Sequence, residues 1–223
     1  DAAALYAGRA RFIARGLGIG AVSPTGFNPV IDTIVGKAVE LRDAGAQAIS
    51  LMGTSISFYR GAAFTEDLRA AMQEATGVPC STMSHAIVAA LRALGMRRVA
   101  VATSYIGELN DRLVDYLTVS GFEVTAIEGL SITGVKEVGE VTTQTLIDLS
   151  EAVIAKDPTA DGVFISCGGL LTLDQGVGVR SQAAGDGQLA CRLLGCDAAG
   201  GAGCFVAGVW AAVCGDPGLS CRT

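Results

Sequence analysis

The sequence predicts an α/β protein with two similar lobes built on parallel sheets. Three observations carry that expectation: short apolar runs alternate with helical periodicities, most helices stop at glycine, and strand, helix, strand from residue 46 has a counterpart from residue 97. Parallel strands joined by helical crossovers place loops at their carboxyl ends, where such sheets bind small molecules.

Taken in order, residues 28–44 set Val30, Ile31, Ile34, Val35, Ala38, Val39 and Leu41 at helical spacing, with Gly45 as a stop. A-Q-A-I-S-L-M-G over 46–53 has strand length and ends in a polar turn, Thr54-Ser55. Residues 65–76 predict a helix opened by Thr65 in the manner of a capping box and ended by Gly77. V-P-C-S-T-M then predicts a short strand, and 84–94 a helix stopped by Gly95. The alternation resumes with a strand over 97–104, a helix over 108–117 and a strand over 121–127. A helix over 142–155 follows, burying Leu146, Ile147, Leu149, Val153 and Ile154, and D-G-V-F-I-S-C-G-G closes the series as a strand running into a glycine turn.

With 223 residues, half of them hydrophobic, the chain can bury a sizeable core. A net charge of −6 without a basic run argues against nucleic acid or an anionic membrane as partner, and no apolar stretch has the length of a membrane helix. Seven cysteines and one histidine without a CxxC predict neither a zinc site nor a disulfide framework. The cytoplasm is the expected compartment, with no cofactor and no metal.

The chemistry-bearing residues gather at strand ends. Cys167 ends an apolar run and is followed by Gly168 and Gly169, whose N–H groups can face a ligand without side-chain obstruction. An unperturbed thiol titrates near ~8.5, so at neutral pH it holds a proton it can give to carbon. A buried structural cysteine is the equal alternative for that residue type. Thr54 and Ser55, behind Gly53, offer hydroxyls and N–H groups suited to a carboxylate or oxyanion, and a plain turn is the simpler local reading. Tyr105 would add a phenol to the same rim, and His85 is expected to be structural at a helix start. The glycines of G-L-G-I-G at 16–20 have the wrong spacing for a dinucleotide fingerprint.

The stretches S-L-M-G-T-S-I-S-F-Y-R-G-A-A-F, A-T-S-Y-I, S-I-T-G-V and S-C-G-G-L-L-T-L-D resemble the arylmalonate decarboxylase family, within the aspartate/glutamate racemase superfamily. The resemblance implies two pseudo-symmetric Rossmann-like lobes, 1–95 and 96–174, with the active site in the cleft between them. It implies cofactor-free loss of CO2 from an α-aryl malonate, giving an enediolate that one cysteine protonates. Racemases of the superfamily use two opposed cysteines; here the second position matches Cys167 and the first is Gly53, so protonation from one face is expected. By the same resemblance Thr54, Ser55, Tyr105, Cys167 and Gly168 are catalytic. Gly53, Ile56, Gly169, Ile19, Val22, Phe27, Val135 and Val138 are expected to bind the substrate, a small arylmalonate-type dicarboxylate. A monomer is compatible with this pattern. A racemase or maleate isomerase of the superfamily, or a silent binder of small carboxylates, is the alternative.

The family's first strand and a proline-containing loop would precede Asp1. After Asp174 the resemblance stops, and residues 175–223 hold eleven Gly, nine Ala and five Cys without Ile, Lys, Glu or Tyr. Removing one base from a back-translation of Gln188–Ala198 yields N-S-P-A-G-F-W-D-A-M, which carries a family motif. The tail is therefore expected to be a frameshifted version of a segment that completes the first lobe.

Overall fold

The computed structural model describes residues 10–170 in full and, of the remainder, the backbone of strands 192–194 and 208–214. Two four-stranded sheets organise the chain. The first has the order β1 (Ala10–Arg15), β8 (Gly208–Cys214), β2 (Ala48–Met52), β3 (Cys80–Thr82). The second has the order β5 (Glu123–Gly129), β4 (Arg98–Thr103), β6 (Gly162–Ser166), β7 (Arg192–Leu194). Every pairing in the second sheet is parallel, as is β2 with β3. Strand β8 runs antiparallel to both β1 and β2, which makes the first sheet mixed. The tail's remaining residues, including most of the stretch that bears on the reading frame, lie outside the described residues.

Burial explains the second sheet. Val99 to Thr103 are all buried, as are all five residues of β6, the continuous apolar pattern of strands covered on both faces. The carboxylate of Asp161 accepts the N–H groups of Arg97 at 2.7 Å and Arg98 at 2.8 Å, holding the start of β6 beside that of β4.

The helices follow their apolar spacing. Helix α2 (Ile34–Asp43) buries Ile34, Ala38 and Leu41; the predicted helix begins six residues later than its sequence pattern, because Ile31–Thr33 tighten into a 3-10 turn. Helix α4 (Ala62–Thr76) starts before the expected capping residue. Thr65 is buried inside its first turn and donates to the carbonyls of Ser57 at 2.6 Å and Gly61 at 2.9 Å, so it ties the helix to the preceding segment rather than capping it. Gly77 ends α4 with φ +70°, as its position predicts. Helix α5 (Met83–Ala93) is capped by Thr82, whose hydroxyl accepts the His85 N–H at 3.3 Å. Helices α6 (Gly107–Val119) and α8 (Thr143–Lys156) stand where the periodicity puts them, the latter capped by Thr142.

Strand β1 and three short helices have no clear period and were not legible: α1 (Pro24–Phe27), α3 (Thr54–Phe58) and α7 (Val135–Gly139). Four or five residues make little more than one helical turn, too few for periodicity to register. Two of these helices build the cavity described next, and the third supplies Phe27. Among the described residues no helix is long and apolar enough to cross a membrane.

Candidate active site

Strands β2 and β6 each occupy the third place in their sheet, and their carboxyl ends meet one cavity. From β2 come Gly53, Thr54, Ser55 and Ile56, the last three forming the first turn of α3. From β6 come Cys167, Gly168 and Gly169. Ile19, Val22, Phe27, Val135, Val138 and Gly139 complete the lining. The space is about 650 Å³ with its open mouth included.

Local structure explains the polar walls. A strand that turns directly into a helix leaves the first N–H groups of that helix without intrahelical partners, and Thr54 and Ser55 stand there. The Ser57 N–H donates to the Gly53 carbonyl at 3.1 Å and starts the helix. Across the cavity the chain turns tightly after the thiol, with the Leu170 N–H donating to the Cys167 carbonyl at 3.1 Å. Cys167 is buried at 7 % exposure and Thr54 at 1 %.

The apolar wall depends on a stitched loop. The N–H groups of Ser131 and Ile132 donate to the carbonyls of Tyr105 at 3.2 Å and Ser104 at 2.8 Å, and the Val22 N–H donates to Thr133 at 2.8 Å. Ser131 is held in the left-handed region at φ 58°, a conformation costing about 1 kcal/mol or more for a non-glycine residue. These bonds bring α7, with Val135 and Val138, over the segment that carries Ile19 and Val22. Gly129 belongs to the same arrangement, since a Cβ there would collide with the Tyr105 carbonyl.

Twelve of the thirteen residues singled out from the sequence therefore line one cavity. Tyr105 does not: it is fully buried, stacks edge-on against Phe58, and its phenol oxygen lies 3.3 Å from Ser166 Oγ, one residue before the thiol. Gly139, at the end of α7, lines the cavity without having been singled out; its adjacency to Val138 was the available signal.

The other described thiol is elsewhere. Cys80, at the start of β3, is buried with Thr76 Oγ1 at 3.5 Å and the Val78 carbonyl at 3.4 Å, and burial pushes its thiol pKa up. It is not among the lining residues. His85 is also structural: its Nε2 lies 2.9 Å from Glu66 and its Nδ1 2.9 Å from Thr82 Oγ1. Among the described residues no group of three His, Cys, Asp or Glu side chains could hold a metal ion.

Two sheets that end a strand each in one cavity, with a thiol on one wall and hydroxyls on the other, define an α/β enzyme with a small-molecule cleft. A family model for arylmalonate decarboxylase matches residues 1–188. A curated arylmalonate decarboxylase from Bordetella bronchiseptica is 52% identical over 163 residues, covering 73% of this chain and 68% of that protein. The chain belongs to the arylmalonate decarboxylase family, whose members are carboxy-lyases.

Solved structures agree. A glycine-to-cysteine, cysteine-to-serine double mutant of arylmalonate decarboxylase, in its liganded form, has a TM-score of 0.72 and 51% identity, covering 73% of this chain and 69% of that one. The two substituted positions there are separated by the same number of residues as Gly53 and Cys167 here. Maleate cis-trans isomerase from Nocardia farcinica, bound to TRIS, shares the fold at a TM-score of 0.64 and 22% identity, covering 69% of this chain and 64% of that one.

Proposed function

We propose that this chain decarboxylates α-aryl and α-aryl-α-methyl malonates to 2-arylalkanoates of one configuration, without a cofactor. The observation that carries this reading is the shared cavity, which Cys167, the one thiol among the described lining residues, lines together with Thr54 and Ser55. The matching separation of the substituted glycine and cysteine in the liganded family structure supports the same pair of positions.

In this mechanism one carbon–carboxylate bond breaks and its electron pair stays with the substrate as an enediolate. The hydroxyls of Thr54 and Ser55 and the N–H groups of Ser55, Cys167 and Gly168 donate to the enediolate oxygens, where negative charge accumulates. Cys167 gives its proton to the α-carbon from one face, and the thiolate regains a proton from solvent. The departing carboxylate lies against Ile19, Val22, Phe27, Ile56, Val135 and Val138, where poor solvation favours its leaving as neutral CO2. Gly53 leaves room for the aryl ring, and Gly169 lets Val138 close against the turn behind the thiol. Tyr105 joins as a donor by turning its phenol from Ser166 toward the enediolate.

The division into lobes 1–95 and 96–174 belongs to the same reading. It is supported by the membership of β2 and β3 in one sheet and of β4 to β6 in the other. A racemase or maleate isomerase would require a second thiol in the cavity, where Gly53 stands and which Cys80 does not line.

The test is CO2 release from phenylmalonate in the presence of chelator, comparing the wild type with Cys167→Ser. Release that is largely lost in the variant is expected. Equal release by both proteins overturns the thiol's role, and binding without release by a folded wild type leaves only a carboxylate binder.

A further inference from the structure

Helix α5 packs its first two residues against α3, the helix that begins at the cavity. The Thr54 hydroxyl, in that cavity wall, donates to the thioether sulfur of Met83 at 3.3 Å. Both side chains are buried, Thr54 at 1 % exposure and Met83 at 3 %. The next residue secures the rest of the helix. Ser84 Oγ lies 2.5 Å from Ser57 Oγ, the Ser84 N–H donates to Ser57 Oγ at 3.2 Å, and Ser57 Oγ in turn donates to the Thr54 carbonyl at 2.8 Å. Thr54 is thus held at two points, its carbonyl by a serine and its hydroxyl by a sulfur.

The two contacts differ in kind. At the carbonyl the Ser57 hydroxyl is the donor, whereas the Thr54 hydroxyl itself donates to a thioether, a weak acceptor. A weak acceptor selects one rotamer of Thr54 and satisfies its proton in a dry site, yet competes poorly with an incoming anion. A carbonyl or carboxylate in the same place would keep the proton, and a hydrocarbon would leave the hydroxyl to rotate.

We propose that Met83 is a positioning residue for decarboxylation: its sulfur parks the Thr54 hydroxyl in a defined rotamer and surrenders it to the enediolate as charge develops. This rests on the reading of Thr54 as an enediolate donor. Met83 itself touches neither substrate nor the reacting carbon. Nothing in the step is oxidised or reduced; one hydrogen bond, from Thr54 to sulfur, is exchanged for one to an enediolate oxygen.

The experiment is a double-mutant cycle on kcat and KM for phenylmalonate, using Met83→Leu, Thr54→Val and the pair. Leucine keeps nearly the volume of methionine and removes only the acceptor. Met83→Leu is expected to lower kcat by roughly three- to tenfold with little change in KM, the scale of one net hydrogen bond. In the Thr54→Val background the same change should cost nothing further. A Met83→Leu loss of equal size in both backgrounds means general packing damage and overturns the proposal. So does an undiminished kcat in Met83→Leu where Thr54→Val is impaired. If Thr54→Val is itself fully active, the donor role of Thr54 fails first, and the two failures are told apart. Met83→Gln, which places a strong acceptor near the hydroxyl, supplies a second variant: a larger loss of kcat than in Met83→Leu is expected, and restored activity in Met83→Gln would overturn the weak-acceptor argument.

Discussion

A Cβ atom placed on Gly169 would lie 2.8 Å from Cγ1 of Val138 and 3.8 Å from the Cys167 sulfur. The turn behind the thiol and the short helix that closes the cavity are therefore packed to the limit of contact. Only a residue without a side chain lets Val138 approach that closely, so Gly169 fixes the distance between the thiol turn and the apolar wall.

Gly169→Ala should force Val138 outward at a cost of about 1–3 kcal/mol, the usual scale of overpacking. Urea unfolding of Gly169→Ala, Val138→Ala and the pair measures it. The expected result is coupling: once Val138 is shortened, the alanine at 169 should cost much less. Strictly additive losses would show that the two residues do not share the constraint.

Replacing Cys167 removes the proton donor of the proposed reaction. Cys167→Ala is expected to lower kcat for phenylmalonate by about 10²-fold or more, the lower range for a general acid. Thermal unfolding should change little by comparison, because the side chain is small and borders a cavity.

Gly53 has φ 172°, extended backbone that any residue adopts, so a side chain there meets no conformational penalty. Gly53→Cys in the wild-type background places a second thiol on the wall opposite Cys167 and is expected to erode the enantiomeric excess of the product. Combined with Cys167→Ser it should yield the opposite enantiomer at reduced rate. Chiral chromatography of the acid formed from α-methyl-α-phenylmalonate checks this, and an unchanged excess in both variants would place the two positions on the same side of the substrate.

Stability in acid should depend on Glu66. Its carboxyl is lowered from the ordinary 4.5 to about 2, first by the Arg69 hydrogen bond and then by the bond from His85. A carboxyl depressed in the folded state adds stability that is complete above its unfolded pKa and is lost as pH falls through the folded one. The loss should therefore run from about pH 4.5 down to 2. Glu66 is half-exposed, so solvent screening keeps the effect small. Urea midpoints across this window should fall less steeply in Glu66→Gln than in the wild type.

The long elements were readable because their signals are local. Helix α8 repeats apolar residues at helical spacing behind a capping threonine, and β6 is a run of buried residues ending at a thiol and two glycines. The short helices were not readable, since α3 and α7 have five residues each, little more than one turn, too few for a helical period to register. Cys167, Gly53, Thr54 and Ser55 were legible as strand-end residues of suitable chemistry, and the family motifs tied them together. Gly139 and Met83 carried no such signal.

By itself, then, the sequence determined the alternation of strands and helices, the strand-end position of the thiol, and the glycine in place of a second one. These follow from side-chain periodicity and residue type, which act over a few neighbours. Tertiary structure decided which of those residues share a cavity and which second residues hold them. Thr54 meets Met83 across 29 residues of chain and His85 meets Glu66 across 19, contacts that no local pattern announces. It also withheld Tyr105 from the cavity lining and set its phenol against Ser166, 61 residues away. The physical reason is that a hydrogen bond between distant residues is set by how the elements carrying them pack, and packing is a property of the whole core.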